Sequence, residues 1–233
     1  MKPFVLGVGA HKCATTWLKQ YITYCDPERT RWNDSKMRKK EWHIWDELFG
    51  HRIITDTNPQ NTLEDLIQSE ANIDITPSYA MLNSNQLAYA KAELEDAGFD
   101  VSVIFLMRDP VDKLISASAY FDHKPSELYN DVGYIQKSRY ELTCENIKKV
   151  FDSEKIYFGI YETMFSDKEM LRLSQFLKIP LKLERRNTVI NSTENSKPTI
   201  DTDLFNQVRL YYDKTYEYCY ENFPETQTLW KNW

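Results

Sequence analysis

The fold is decided by residues 4–18, which read Phe-Val-Leu-Gly-Val-Gly-Ala-His-Lys-Cys-Ala-Thr-Thr-Trp-Leu. The apolar run at 4–8 is typical of a buried strand, and Gly7 and Gly9 allow the backbone to turn tightly after it. From Thr15 onward the spacing of apolar residues predicts a helix. A strand, a glycine-bearing loop and a helix together favour phosphate-like anions, because the first turn of a helix has free N–H groups and a partial positive charge.

Side chains of the same loop strengthen this prediction. Lys12 carries a full positive charge, and Thr15 and Thr16 carry hydroxyl donors. The loop is not a Walker A motif, because that motif closes with Gly-Lys-Ser/Thr whereas Lys12 lies between His11 and Cys13. We therefore expect a loop that grips a phosphate or sulfate ester. The alternative is an ordinary strand-to-helix turn with an exposed lysine.

A second candidate anion-binding group follows the apolar run at 101–107, which predicts a strand. Arg108-Asp-Pro comes next, and its aspartate and proline suit the N-cap and first position of a helix. The carboxyl ends of parallel strands meet at one edge, so Arg108 should lie near the Lys12 loop. Its guanidinium matches a phosphate, and Ser116 could add a hydroxyl donor. A capping salt bridge of Arg108 to a carboxylate is the alternative.

Two proton-handling groups lie close together at 40–45, which read Lys-Glu-Trp-His-Ile-Trp. In an extended segment Glu41 and His43 would point to one face. They could then do general acid–base work. The alternative is an amphipathic edge segment with a solvated glutamate and a structural histidine.

Composition bounds the possible classes of protein. The chain has 233 residues and a formal net charge of −6, which argues against a general nucleic-acid binder. No signal-peptide pattern opens the sequence, and no apolar run approaches the roughly 18 residues that would span a bilayer. The cysteines have no metal-like spacing, so we expect reduced thiols in a cytoplasmic protein. They are Cys13, Cys25, Cys144 and Cys219. Cys13 is either a packing residue or, at a helix N-terminus beside Lys12, a thiol of lowered pKa.

The remaining segments alternate strand and helix patterns. The predicted strands are 72–75 and 155–160. The predicted helices are 84–97, which Ser84 can cap, 140–151, in which Leu142 faces inward, 167–177 and 201–223. The segments predicted to be irregular are 122–138 and 184–200. A long loop such as 184–200 is often a lid. The alternation predicts a three-layer α/β fold of P-loop-like type, with a short parallel sheet flanked by helices.

Taken together, these motifs resemble the sulfotransferases that use 3′-phosphoadenosine 5′-phosphosulfate (PAPS), and within them the heparan-sulfate-type branch. Residues 9–18 match the family's 5′-phosphosulfate loop, and Arg108-Asp-Pro with Ser116 matches its 3′-phosphate motif. Lys40-Glu-Trp-His43 resembles the element whose glutamate is the catalytic base, and Thr76-Pro-Ser-Tyr79 resembles the segment that follows it. The similarity covers most of residues 4–180.

The resemblance implies one domain over 1–233 with a C-terminal helical part at 201–233, PAPS as co-substrate and no metal. It implies Glu41 as the base, with His43 in reserve, and Lys12 as the group that neutralises the leaving phosphate. Residues implied to hold PAPS are Lys12, Cys13, Ala14, Thr15, Thr16, Trp17, Arg108, Ser116 and the lid residue Lys197.

The sequence also departs from the family pattern. Ala14 stands where the family more commonly has glycine. With alanine at this position, we expect a negative φ. Ile75 stands where many heparan-type enzymes have a lysine, the family's Lys-Gly-Arg lid is missing, and the disulfide of secreted relatives has no evident counterpart.

The acceptor is open at this stage. The acidic chain favours a target less charged than heparan sulfate, such as a glycan, a glycolipid or a small hydroxyl compound. Two alternatives of other classes are a P-loop nucleotide kinase and a non-catalytic protein that binds nucleotides or anionic glycans. The oligomeric state is not indicated by the sequence.

Overall fold

The computed structural model describes residues 1–27, 41–51, 61–186 and 198–230. These ranges form a mixed α/β fold around a parallel sheet of four strands in the order β2-β1-β3-β4. The strands are β1 (Lys2–Gly7), β2 (Ile73–Ile75), β3 (Phe99–Met107) and β4 (Ile156–Ile160). The α/β fold with a short parallel sheet flanked by helices is thus confirmed.

Helices connect and flank the strands. They are α1 (Thr15–Cys25), α2 (Ile44–Leu48), α3 (Leu63–Gln68), α4 (Ser84–Asp96), α5 (Pro110–Phe121), α6 (Pro125–Asn130), α7 (Val132–Ile135), α8 (Tyr140–Val150), α9 (Asp167–Leu177), α10 (Thr202–Tyr211), α11 (Asp213–Asn222) and α12 (Thr226–Leu229).

The strand register brings the functional loops to one edge of the sheet. Gly7 at the end of β1 pairs with Ile75 on one side and with Ile104 on the other. Met107 at the end of β3 pairs with Ile160 at the end of β4. Because the strands are parallel, the segments that follow β1, β2 and β3 leave the sheet at its carboxyl edge, where α/β folds bind ligands.

Two segments differ from the sequence-based expectation. Residues 122–138 are not irregular: they form α6, α7 and a 3-10 turn at Gln136–Ser138. Elements of this length are too short to show a helical period. The helix expected at 201–223 is broken at Tyr212, whose backbone leaves the helical region and whose hydroxyl donates to the carbonyl of Ile135 at 2.8 Å.

Two side-chain expectations are also wrong. Asn83, not Ser84, caps α4, because the Asn83 side chain accepts from the Gln86 N–H while the Gln86 side chain accepts from the Asn83 N–H. Leu142 on α8 does not face inward but is 53% exposed. In the described ranges, no helix combines the length and apolarity that crossing a bilayer requires.

Candidate functional site

The loop between β1 and α1 is tightly constrained. Gly9 has a φ of 124°, and a Cβ there would lie 2.8 Å from the carbonyl oxygen of Pro77. Lys12 and Ala14 both have left-handed backbone, with φ of 60° and 61°. The expected negative φ at Ala14 is therefore wrong: alanine occupies the left-handed position that a glycine would adopt without strain.

α1 begins at Thr15, directly after this loop. Its N-cap residue is Ala14, which has no side-chain atom that could accept from the N–H groups of the first turn. Those amides therefore point from the helix end toward the loop without a side-chain cap from that residue. Anion binding by the first turn of α1 stays a prediction.

Lys12 and Arg108 lie in contacting segments. The Nη1 atom of Arg108 lies 3.5 Å from the carbonyl oxygen of Lys12. The Lys12 ammonium stands 3.8 Å from the ring centroid of Tyr120 on α5, and the Arg108 guanidinium stands 4.2 Å from that of Tyr161. Two cations are thus held on aromatic rings at the carboxyl edge of neighbouring strands.

Arg108 is buried yet incompletely bonded. It is 9% exposed, and its Nε atom has no hydrogen-bond partner among the described residues. Within those residues no carboxylate forms an ion pair with it, which disfavours the capping salt bridge. A buried donor without a partner is costly, so the geometry leaves room for an anionic acceptor from outside the chain.

The remaining residues of the predicted anion site are placed as follows. Ser116 is buried on α5, two turns after Arg108. The Trp17 indole donates to the carbonyl of Arg185 at 3.2 Å and stacks on Tyr21, so its ring packs in the core. Lys197 lies outside the described residues, as does most of the lid expected at 184–200.

Cys13 is a packing residue. Its thiol is fully buried, and it donates to the carbonyl of His11 at 3.4 Å. Burial raises the pKa of Cys13 to about 11, so a thiol of lowered pKa is wrong. All four cysteines of the chain are free and buried.

Glu41 and His43 lie in an irregular segment rather than in an extended strand, but they do meet. His43 has a φ of 59° and precedes α2, and its Nε2 lies 3.2 Å from the Glu41 carboxylate. Its Nδ1 lies 2.8 Å from the carboxylate of Asp46, which also accepts from the Ser78 hydroxyl. The three side chains form a continuous Glu41–His43–Asp46 chain, and Asp46 is fully buried.

The segment that carries this chain is fixed to the end of β2 by Asp74 and Tyr79. The Tyr79 hydroxyl donates to Asp74 at 2.6 Å and accepts from the backbone N–H of Ile44 at 3.0 Å. The other Asp74 oxygen accepts from the Trp42 N–H at 3.2 Å and from the Thr76 hydroxyl at 2.6 Å. Burial raises the pKa of Asp74 to about 6, although these hydrogen bonds favour its charged form.

Asp46, Asp74 and Tyr79 were not predicted as site residues. Asp46 stands three residues after His43, which is the spacing of a side-chain contact across one helical turn. That spacing could have indicated it. Asp74 and Tyr79 reach the site only through tertiary contacts, which leave no local pattern in the sequence.

The described part of the chain contains no cluster of side chains that could bind a metal ion. No group of three or more histidine, cysteine, aspartate or glutamate side chains there is arranged to hold an ion.

Comparison with known proteins agrees with this architecture. The sequence matches the family described as "Sulfotransferase domain" over residues 2–210. The fold is similar to a sulfotransferase from Alicyclobacillus acidocaldarius, with a TM-score of 0.70, 15% identity and coverage of 100% of both chains. It is also similar to mouse sulfotransferase SULT7A1 complexed with PAP, with a TM-score of 0.55, 16% identity and coverage of 98% of this chain and 86% of that chain. No curated protein sequence matches this one. The family match spans most of the chain, and the chain therefore belongs to the sulfotransferase domain family.

Proposed function

We propose that this protein transfers the sulfuryl group of PAPS to a hydroxyl or amine of an acceptor, by in-line displacement with Glu41 as the base. One observation carries the proposal: the Lys12 loop and Arg108 touch at the carboxyl edge of the sheet, as two clamps for one doubly phosphorylated nucleotide would. The Glu41–His43 pair and the Arg108-Asp-Pro motif support the likeness to the heparan-sulfate-type branch.

The residues present fit such a nucleotide. The Nε of Arg108 is a buried donor that lacks a partner among the described residues, and a planar guanidinium suits a phosphate. Arg108 and Ser116 would hold the 3′-phosphate, and the first turn of α1 with Thr15 and Thr16 would hold the 5′ end.

PAPS, when bound, supplies the sulfuryl group and a phosphate leaving group. Lys12 would neutralise the charge that builds on that leaving oxygen. Glu41 would accept the proton of the attacking hydroxyl or amine. With both ring nitrogens protonated, His43 would donate from Nδ1 to Asp46 and from Nε2 to Glu41, and so keep the Glu41 carboxylate in place. Positioning and charge stabilisation then supply most of the rate, as in phosphoryl transfer.

The acceptor is proposed to be a glycan, glycolipid or small hydroxyl compound less charged than heparan sulfate. Residues 122–127 line part of a cavity of about 630 Å³. They follow closely in the chain on Tyr120, whose ring contacts Lys12. The cavity lining includes three carboxylates, those of Asp122, Glu127 and Asp201, and one lysine, Lys124. Such a lining disfavours a polyanion. A cytoplasmic location belongs to the same proposal and is supported by the free, buried cysteines.

Two experiments on the full chain test this proposal. Calorimetry should show that adenosine 3′,5′-bisphosphate (PAP) binds at least tenfold more tightly than adenosine 5′-phosphate. Labelled PAPS, incubated with a panel of hydroxyl and amine acceptors in EDTA, should give a labelled product. Failure to bind PAP would overturn the proposal. Tight PAP binding without transfer to any acceptor would favour the non-catalytic binder, and Mg²⁺-dependent transfer from ATP would favour the kinase.

A further inference from the structure

Lys113 on α5 is a buried cation that the proposed reaction does not use. Its side chain is 1% exposed. The ammonium donates to the Tyr134 hydroxyl at 3.3 Å and stands 4.3 Å from the centroid of that ring. No carboxylate of the described residues forms an ion pair with it, which is uncommon for a fully buried lysine.

Among the described residues, the titratable groups that act on or contact Lys113 are neutral or positive. Cys13 approaches from the β1–α1 loop, and burial keeps its thiol protonated, with a pKa of about 11. Tyr134 approaches from α7 with a pKa well above its ordinary value, and Lys137 adds a second cation from the following turn. Burial lowers the pKa of Lys113 itself to about 8. The described part of the chain therefore does not supply the negative charge that would stabilise the ammonium.

The place of Lys113 indicates where that charge would come from. Cys13 belongs to the anion-binding loop, between Lys12 and Ala14, and the charges of both Lys113 and Arg108 act on it. Lys113 also lies one helical turn before Ser116, which puts the two side chains on the same face of α5. The buried ammonium is thus close enough to the loop for its charge to act on Cys13.

We infer that Lys113 is an anion-recognition residue that acts through the loop: its buried ammonium gives residues 9–14 a positive potential that is satisfied when a phosphate or sulfate ester binds there. This inference rests on the proposed function, since the ester would be the 5′ end of PAPS. In the low dielectric of the interior such a charge acts over several ångströms without direct contact. The cost is a buried cation that destabilises the protein when no anion is bound.

Lys113→Met tests this with two readouts that should move in opposite directions. We expect the melting temperature of the ligand-free protein to rise, because a buried cation without a counter-charge is removed. We expect PAP to bind at least tenfold more weakly. This loss should persist in 0.5 M salt, because a buried charge is poorly screened. Lys148→Met is the matched control: it removes the same charge from an exposed position on α8 and should change PAP affinity less than twofold.

The stability gain should also depend on pH. Between the ordinary lysine pKa of about 10.5 and the folded value of about 8, the folded state binds fewer protons than the unfolded state, so stability rises with pH. The advantage of Lys113→Met should therefore be largest below pH 8 and shrink toward pH 10.5.

Wild-type protein and Lys113→Arg provide a test that does not need the methionine variant to fold. At pH 8 a bound anion should draw a proton onto Lys113, so that PAP binding takes up a fraction of a proton in calorimetry with buffers of different ionisation enthalpy. Lys113→Arg keeps the charge and should lose this uptake. Wild-type protein that ignores PAP would overturn the proposed function itself. Unchanged PAP affinity in Lys113→Met, a joint fall of its stability and affinity, or the same proton uptake in Lys113→Arg would overturn this inference alone.

Discussion

The contact between Glu41 and His43 bears directly on which of them takes the acceptor's proton. Asp46 is buried and lies against the Nδ1 side of His43, which favours a proton on that nitrogen. The Nε2 side then faces Glu41 at 3.2 Å. His43 orients Glu41 when Nε2 carries a proton as well, because that N–H then donates to the Glu41 carboxylate.

Glu41→Gln should reduce turnover by a factor of about 10²–10⁴, the usual contribution of a general base. PAP affinity should stay within twofold, because the amide is isosteric and the nucleotide clamps are elsewhere. Single-turnover assays with labelled PAPS and calorimetry measure the two effects. His43→Asn, the companion variant, should lose less. A nearly active Glu41→Gln protein beside an inactive His43→Asn protein would give the role of base to His43.

Arg108→Ala should weaken PAP binding by about 1.5–3 kcal/mol, the value of a hydrogen bond to a charged group. The loss should be specific for the 3′-phosphate, so the variant should bind PAP and adenosine 5′-phosphate equally. Titration calorimetry with both nucleotides measures this. A preference for PAP that survives the substitution would refute the assignment.

At the scale of the elements, the β1–α1 loop contains two residues whose substitutions should have opposite effects. Ala14→Gly relieves a left-handed backbone that costs an L-residue about 1–2 kcal/mol, against about 0.5–1 kcal/mol of added unfolded-state entropy. A small net gain of stability is expected. Gly9→Ala should destabilise, because its Cβ would meet the carbonyl oxygen of Pro77 at 2.8 Å. Chemical denaturation measures both, and a destabilised Ala14→Gly protein would contradict the strain argument.

Hydrogen bonds attach the segment 41–46 to the end of β2. Tyr79→Phe removes a hydroxyl that donates to Asp74 and accepts from the Ile44 N–H. Leaving these buried groups unpaired should cost about 1–3 kcal/mol of stability. Because Glu41 loses its support, kcat should fall about tenfold or more while PAP affinity is unchanged. The half-exposed Tyr89 on α4 offers the matched control, Tyr89→Phe. Equal kcat values in the two variants would show that the attachment does not position the base.

Elements with strong local signals could be predicted from the sequence, and those set by tertiary contact could not. α9 and the start of α5 follow from a clear period and from Asp109 and Pro110 at the helix start. The break falls at Tyr212, whose hydroxyl donates to a residue 77 positions away. The same division holds in the site. Lys12, Glu41 and Arg108 stand in contiguous motifs, whereas Asp74 and Lys113 became evident only when packing showed them buried.

At the scale of the whole molecule, the C-terminal helices reach back to the site. The Tyr216 hydroxyl on α11 donates to Asp109 at 3.1 Å, and the Trp230 indole donates to Glu162 at 3.0 Å. The other oxygen of Glu162 accepts from the Asp109 N–H at 3.2 Å. The residue that follows Arg108 is therefore held by the last helices of the described chain. A single domain stays a prediction, and this connection gives it a physical basis.

Trp230→Ala tests whether these helices belong to one cooperative unit with the sheet. Trp230 is 1% exposed and packs against Tyr140 and Tyr216, so truncation should cost about 3–5 kcal/mol. It also removes the indole donor from Glu162 beside Asp109, so PAP affinity should fall together with stability. Leu210→Ala, at a side chain that is 78% exposed, should change stability by no more than about 0.5 kcal/mol. Denaturant unfolding should remain a single transition in both variants. A separate early transition in Trp230→Ala, with PAP binding intact, would mean that the terminal helices fold independently and that Arg108 is positioned without them.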